Sequence, residues 1–587
     1  MPRVIILGGG VGGLSAAHEL AERGFEVEVY EKRAVAGGKA RSYGAPGSAP
    51  PGRKPLPAEH GFRFFPGWYR HVTDTMKRIP AGEGKKTVFA QLRQVPRVQV
   101  TVNGRSPAVF PARYPRDFGE MALLLDGLLT FWMNSGLSEV EINDYLKKIW
   151  QLLTSCEERR VGEYEPMSWW EFLEADRKGH TDLYRDLLAN STRPLVAAKP
   201  REASAKTVGD VLLQMIFNLT AQRGPGADRI LNGPTSDAWI TPWVDYLQTQ
   251  RKVKFHFGAA VEGFGVKDGK ISGVRIAGVP EPVTGDYYVA ALPVDVMAGL
   301  VSPAMLFVDP KLADLGDLAK DVEWMTGIMF YLDTDVKLEK AHQLCLGSPW
   351  SLTSISQPQF WPKVNLADEY GDGKVHGLIS VIISEWERPG RNNKAAMDCT
   401  ESEIADEVWS QLTTLLKDPE LADAVRLGHH LDEGISIASP PNPPTKTNAE
   451  PLLVNKANRR KLRPDAVTKI PNLFLASDYV LTSTDLATME GANEAARRAV
   501  NGIIKADTGK RPKVMAPYCR IWELHEPPEL APLRRFDRER FKKGLEWDET
   551  IPLQFKLLYW ALIHLGPVLR PVITAWSAVS RHFMMPR

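Results

Sequence analysis

Two stretches of this chain carry residue types that could do chemistry, and they lie almost a whole chain apart. The first is Gly8-Gly9-Gly10-Val11-Gly12-Gly13 with an acid, Glu31, downstream; the second runs from Asn472 to Ala496. A glycine loop of this spacing suits a dinucleotide pyrophosphate. Gly8 allows the tight turn, Gly10 lets the backbone approach the phosphates, and Gly13 lets helix and strand pack closely. Gly12 lies at the start of the following helix, whose free N–H groups and positive dipole end attract the phosphates. Glu31 can accept hydrogen bonds from the adenosine ribose, and its charge disfavours a 2′-phosphate.

These residues need a strand, a helix and a second strand to position them. Arg3 to Leu7 reads as an apolar strand, Leu14 to Arg23 as a helix, and Val27 to Tyr30 as a second strand ending at Glu31. After Glu31-Lys32 comes a second glycine pair, Gly37-Gly38-Lys39-Ala40-Arg41-Ser42. A plain NAD domain has no need of it, whereas the more extended FAD does: glycines admit the cofactor, and Lys39 or Arg41 pairs with its phosphates. In the distant stretch, Leu473 to Ala476 reads as a short strand closed by Ser477-Asp478, and Glu490 to Ile504 as a helix opening on Gly491 and Ala492. Small residues at that helix start let backbone amides approach a flavin, and Asp478 can bond ribityl hydroxyls. If both stretches share one FAD, the cofactor domain is discontinuous and the middle of the chain is inserted into it.

Phe474-Leu475-Ala476-Ser477-Asp478-Tyr479 and Ala487-Thr488-Met489-Glu490-Gly491-Ala492 resemble the C-terminal flavin motif of plant and cyanobacterial carotenoid desaturases, within the wider FAD amine oxidase superfamily. The stretch from Gly61 to Tyr69 looks like that family's second flavin segment, which brings in Gly61, Phe62 and Arg63. The resemblance covers residues 1 to about 508. It implies a Rossmann-like FAD domain under a lid with a long apolar tunnel. By position it implies that Gly8, Gly10, Gly13, Glu31, Gly38, Lys39, Val261, Asp478 and Met489 hold FAD. Two positions depart from the family: Arg63 stands where plant phytoene desaturases have histidine, and Ser477 replaces the usual glycine.

The chemistry implied is transfer of hydrogen from a C–H bond to flavin N5, with a proton lost from the neighbouring carbon and a double bond formed. The cofactor supplies the hard step and the protein supplies position and exclusion of water. No catalytic base is legible. His60, Arg63 and Glu490 are the polar candidates nearest the flavin motifs. Two alternatives stand beside desaturation. A flavin amine oxidase would place aromatics before the C-terminal flavin helix, and Leu481 to Thr488 has none; a redox-neutral isoprenoid isomerase or dehydroxylase would leave the flavin unchanged. No metal-ligand spacing is present.

The fold class expected is α/β, with a discontinuous Rossmann-like FAD-binding domain, an inserted α+β substrate domain and a C-terminal helical tail. The boundaries expected are 1–115, 239–300 and 451–508 for the cofactor domain, 116–238 for a helical lid, 301–450 for the substrate sheet, and 509–587 for the tail. Residues 439–446 read as a proline-rich connector. A net charge of +2 from 73 basic and 71 acidic residues gives no field for nucleic acid. The four scattered cysteines fit a reducing interior. Because a cofactor strand starts at residue 3, no signal peptide is read, and a cytoplasmic location or a membrane's cytoplasmic face is expected. In the tail, a basic run from Leu533 to Lys543 precedes an apolar stretch, Ile551 to Met585, whose uncharged part, Leu557 to Leu569, is shorter than the ~20 residues that a crossing helix needs. The tail therefore reads either as a membrane-interface helix or as a cap on the body. The partners expected are a hydrophobic small molecule and, as electron acceptor, a quinone or dioxygen.

Overall fold

The computed structural model describes residues 1–549 except 83, 85, 103, 104, 192, 221–225, 439, 440, 442 and 509–516, together with 569, 571, 573 and 574. Two sheets organise it. The first is parallel and draws five strands from three distant parts of the chain. They are β1 (Arg3–Leu7), β2 (Glu26–Glu31), β3 (Lys254–Phe257), β4 (Tyr287–Ala290) and β5 (Leu473–Leu475), in spatial order β3-β2-β1-β4-β5. Val4, Ile5, Ile6 and Leu7 of the central strand are 0% exposed, as unbroken apolar runs must be in a parallel sheet covered on both faces. Helix α1 (Val11–Glu22) follows β1, and α2 (Met489–Thr508) follows β5. The two helices lie side by side, with Asn493 Nδ2 donating to Ser15 Oγ at 2.8 Å.

The second sheet has seven strands. Their order is Arg426–Leu431, Thr326–Leu332, Gly377–Ile383, Thr353–Ser356, Ala341–Leu346, Arg97–Val102 and Arg105–Pro111. Pairing is antiparallel except between Ala341–Leu346 and Arg97–Val102. Along Thr326–Leu332 the side chains alternate. Ile328, Phe330 and Leu332 pack under the helix Glu401–Leu416, while Met329 and Tyr331 join a separate core on the opposite face. Arg97–Val102 and Arg105–Pro111 were expected in the first cofactor segment. They belong to this second sheet, because Arg97–Val102 finds its parallel partner in a strand more than two hundred residues later.

Beside the seven-stranded sheet lies a helical region that includes Phe118–Ser135, which packs on the edge strand Arg105–Pro111, with Glu139–Thr154 and Ala205–Thr220. Ser138 and Glu141 form a capping box at the start of the second of these helices. Tyr164, Trp169 and Phe172 are buried in its core. The basic run of the tail forms the helix Ala531–Lys542, which docks on this region. Arg159 Nε bonds Asp537 at 2.9 Å, Arg538 pairs with Glu158 at 2.7 Å, and Trp547 Nε1 donates to Thr154 Oγ1 at 2.9 Å. This part of the tail caps the body. Except for four positions, the apolar run of residues 551–585 lies outside the described residues, as does most of the proline cluster at 439–442. No helix among the described residues is long and apolar enough to cross a membrane.

Candidate functional site

The glycine loop is held by its own backbone. Gly8 adopts φ +100°, the region that only glycine enters freely. Its N–H donates to Tyr30 O at 2.8 Å, and Gly9 N donates to Glu31 Oε2 at 2.7 Å. The other oxygen of Glu31 accepts from Arg33 N at 2.9 Å. Glu31 thus ties the loop to the end of β2 while still lining the groove. A side chain at Gly13 would run into the Gly8 carbonyl oxygen, and one at Gly12 into that of Ala476. At Gly10 the nearest atom to a Cβ would be Gly38 Cα, at 3.8 Å. Gly12 and Gly13 therefore serve backbone packing, and Gly10 keeps a surface open toward the groove, as a phosphate cradle requires.

One cavity of about 480 Å³ is lined both by Gly8, Gly10 and Gly12 of this loop and by Ala476, Asp478, Met489 and Ala492 of the distant segment, which meets the loop where Gly12 packs on Ala476. Lys32, Gly38, Lys39, Gly61, Phe62, Arg63 and Val261 line it as well. Arg41 does not. Its guanidinium, 2% exposed, is taken by Glu433 at 2.6 Å and Glu450 at 3.1 Å, so a phosphate would have to compete with two carboxylates. Gly491 also lies off the cavity wall, with its N–H on Thr488 Oγ1 at 3.1 Å. Beyond the cofactor-sized groove the cavity turns apolar, between Val196, Val208 and Val211 of the helical region and Leu344 and Ile382 of the seven-stranded sheet.

The three catalytic candidates separate on geometry. Glu490 is 2% exposed and points away from the cavity. Its carboxylate accepts from Arg70 N, His71 N, Val72 N and His71 Nδ1 at 2.6–3.0 Å, capping the helix His71–Met76. His60 lines the cavity with Nδ1 held by Asp432 Oδ1 at 3.1 Å. Burial opposes ionisation of Asp432, yet its bonds to His60, Gly434 N and Tyr43 hold its carboxyl down to about 2. His60, Asp432 and Glu450 offer donor atoms within 4.8 Å of one another, but Glu450 is engaged by Arg33 and Arg41 and the group is a charge network. Arg63 is half-buried against the cavity, bonded to Gly61 O, with its proton affinity lowered by desolvation of its guanidinium. Among the described residues no carboxylate forms an ion pair with it.

Sequence reasoning missed three groups. Arg463, 3% exposed, binds Tyr479 O, Val480 O and Asp485 Oδ1 at 2.7–3.0 Å and so fixes the return loop behind Asp478. His342 lines the cavity beside Phe62 and Phe64 with Nε2 unpartnered, and burial holds its imidazole down to about 3. Asp228 lines the cavity with its carboxyl pushed by burial up to about 7.

Residues 11–504 match the family model for flavin-containing amine oxidoreductases. The chain belongs to that family. It is an FAD-dependent oxidoreductase, similar to the carotenoid desaturases within the superfamily. It is 25% identical to the 15-cis-phytoene desaturase of Synechococcus elongatus over 515 residues, 86% of this chain and 96% of that protein. It is 21% identical to the carotenoid phi-ring synthase of Chlorobaculum tepidum over 286 residues, 47% of this chain and 40% of that protein. Among solved structures, putrescine oxidase superposes with a TM-score of 0.57 at 11% identity, over 86% of this chain and 99% of that one. Cyclohexylamine oxidase from Brevibacterium oxydans gives 0.55 at 13%, over 87% of this chain and 100% of that one. These two share its fold.

Proposed function

We propose that this oxidoreductase desaturates an isoprenoid hydrocarbon. The observation that carries the reading is the apolar end of the cavity, walled by Val196, Val208, Val211, Leu344 and Ile382, which offers a chain-like hydrocarbon burial and few polar partners. The similarity to 15-cis-phytoene desaturase along most of both chains supports it. In this reading the five-stranded sheet with α1 and α2 is a Rossmann-like, discontinuous FAD domain. The amides at the start of α1 face the pyrophosphate, with Lys39 nearby; Glu31 faces the ribose, and Asp478 and Met489 face the flavin end. Bound FAD would supply the two-electron oxidation. The chain positions the substrate C–H, keeps water from it, and handles the proton. The acceptor that reoxidises the site is a quinone or dioxygen; the membrane contact expected of the tail falls almost wholly on residues outside those described.

Amine oxidation keeps one observation in its favour: Trp68 and Tyr69 line the cavity near the acid Asp228. Against it stands the cation of Arg63 in the same cavity, which forms no ion pair among the described residues. Expression beside a polyprenoid pathway, followed by mass analysis of extracted lipids, separates the readings. Products lighter by pairs of hydrogens support desaturation. Unchanged polyprenoids, with anaerobic bleaching of the purified flavoprotein by amines, would replace it.

A further inference from the structure

Loss of two hydrogens from a carbon chain needs a place for a proton, and Arg63, which already carries its charge, cannot take one. His60, oriented through Nδ1 by Asp432, keeps Nε2 as a rival acceptor, so a rate retained by Asp228→Asn would assign the proton to His60 instead. Asp228 is different. It stands just before the strand Arg229–Leu231, which is clamped between Phe64–Phe65 and Leu92–Gln94, and its own carbonyl accepts from Val95 N at 2.8 Å. The carboxyl is therefore mounted on three paired strands rather than on a free loop.

Its two oxygens have unequal surroundings. Oδ1 accepts from Gly67 N at 2.8 Å and from Asn218 Nδ2 at 3.1 Å. Gly67 reaches it only because it has no side chain: a Cβ there would run into Gly226 O. Two donors on one oxygen fix the plane of the carboxyl and leave Oδ2, with no partner among the described residues, for the cavity that Asp228 lines. The charged and titratable neighbours are few. Arg229 is adjacent in sequence, but its guanidinium lies over the Phe89 ring at 5.5 Å and forms no ion pair with Asp228. Tyr69 and Arg63 share the cavity wall, and Glu490 beyond Tyr69 is spent on its helix cap.

We propose that Asp228 Oδ2 accepts the proton that the substrate loses as its double bond forms. The idea rests on the desaturase reading above. Two C–H bonds break on neighbouring carbons. One hydrogen leaves with its electron pair to the oxidised flavin, the other leaves as a proton to Asp228, and the pair it leaves behind becomes the new π bond. A base of near-neutral proton affinity suits this task, because it is ionised when substrate arrives and can return the proton to water afterwards. Burial pushes the carboxyl up to about 7, and the Gly67 donor, the nearby charge of Arg229 and the Asn218 donor keep it from rising further.

The test uses the FAD-loaded full chain, Asp228→Asn and Asn218→Ala, with 15-cis-phytoene in detergent micelles as probe. Asparagine keeps an acceptor for Gly67 N and Asn218 Nδ2, so FAD affinity from flavin fluorescence should stay within about twofold. Infrared pH-difference spectra without substrate should show a carboxylic acid band titrating near pH 7 in the wild type and absent from Asp228→Asn. Anaerobic single-turnover flavin bleaching should rise with pH through about 7 in the wild type and drop roughly a hundredfold or more in Asp228→Asn, with a flat profile. Asn218→Ala, which removes one donor to the ionised form, should move the inflection to higher pH. If the wild type bleaches and Asp228→Asn keeps its rate and profile, the proposal is overturned. If the wild type leaves phytoene unchanged, the desaturase reading fails instead, and the infrared titration still reports whether Asp228 holds its proton.

Discussion

Replacing Asp228 by asparagine should remove a pH dependence of unfolding whose sign is opposite to that of a salt-bridged carboxylate. Burial raises the Asp228 carboxyl from its ordinary 3.8 to about 7, so between those values the folded chain holds a proton that the unfolded chain has released. Stability from this group is fully present below the unfolded value and is lost as pH rises through about 7. From about pH 5 to about pH 8 the linkage spans roughly two pH units, and at about 1.36 kcal/mol per unit this comes to about 3 kcal/mol. For a chain of 587 residues, an unfolding entropy of about 1.2 kcal/mol per degree converts this to about 2 °C. Calorimetric Tm values of both proteins across that range cancel the other titrating groups, and the mutant's advantage should widen by about 2 °C toward pH 8. Parallel curves would refute the reasoning. A gap narrowing toward pH 8 would mean that the ionised carboxylate is favoured and that burial does not dominate.

Three further outcomes are expected. Gly10→Ala should keep the apo protein's Tm within about a degree yet weaken FAD binding at least tenfold in fluorescence titration, whereas Gly13→Ala, whose methyl meets the Gly8 carbonyl, should lower both. Glu490→Gln leaves buried donors at Arg70, His71 and Val72 poorly satisfied and should cost roughly 3 kcal/mol in denaturant unfolding, without moving the pH profile of flavin bleaching. His342 is held near 3 by burial against an ordinary 6.5, so the unfolded chain binds the extra proton and stability falls as pH drops below about 6.5. His342→Phe should therefore resist acid better than the wild type by roughly 2 kcal/mol at about pH 5, read as a smaller Tm loss between pH 7 and pH 5.

The strand, glycine-loop and helix frame around the cavity was legible because its signals are local. Apolar runs at residues 3–7 and 27–30, glycines at required offsets and a return strand–helix pair each show in a short window, and each appears where expected. The antiparallel strands Val261–Lys267 and Lys270–Ile276 are joined by Asp268-Gly269, both at positive φ, as such a turn composition demands. What stayed hidden depends on partners far along the chain. Ala341–Leu346 is wholly buried, yet His342 and Gln343 interrupt its apolar pattern, and only pairing with Arg97–Val102 makes it a central strand. Arg41 looked like a phosphate ligand because Glu433 and Glu450, about four hundred positions later, were not visible as its partners. Glu490 sits inside the flavin motif but serves a helix that begins at His71. Asp228 gives no local sign at all, since its two donors are Gly67 and Asn218 and the strand that follows it is buried between two others drawn from residues 64–65 and 92–94.

The contact of Gly12 with the Ala476 carbonyl also dictates timing during biosynthesis. A ribosome has made the glycine loop once residue 13 is joined, but the Ala476 wall beside it emerges only after β5 has been translated. The nascent chain therefore carries half of this cavity through most of its synthesis, and a coenzyme that needs both walls would find them only on the finished or nearly finished polypeptide.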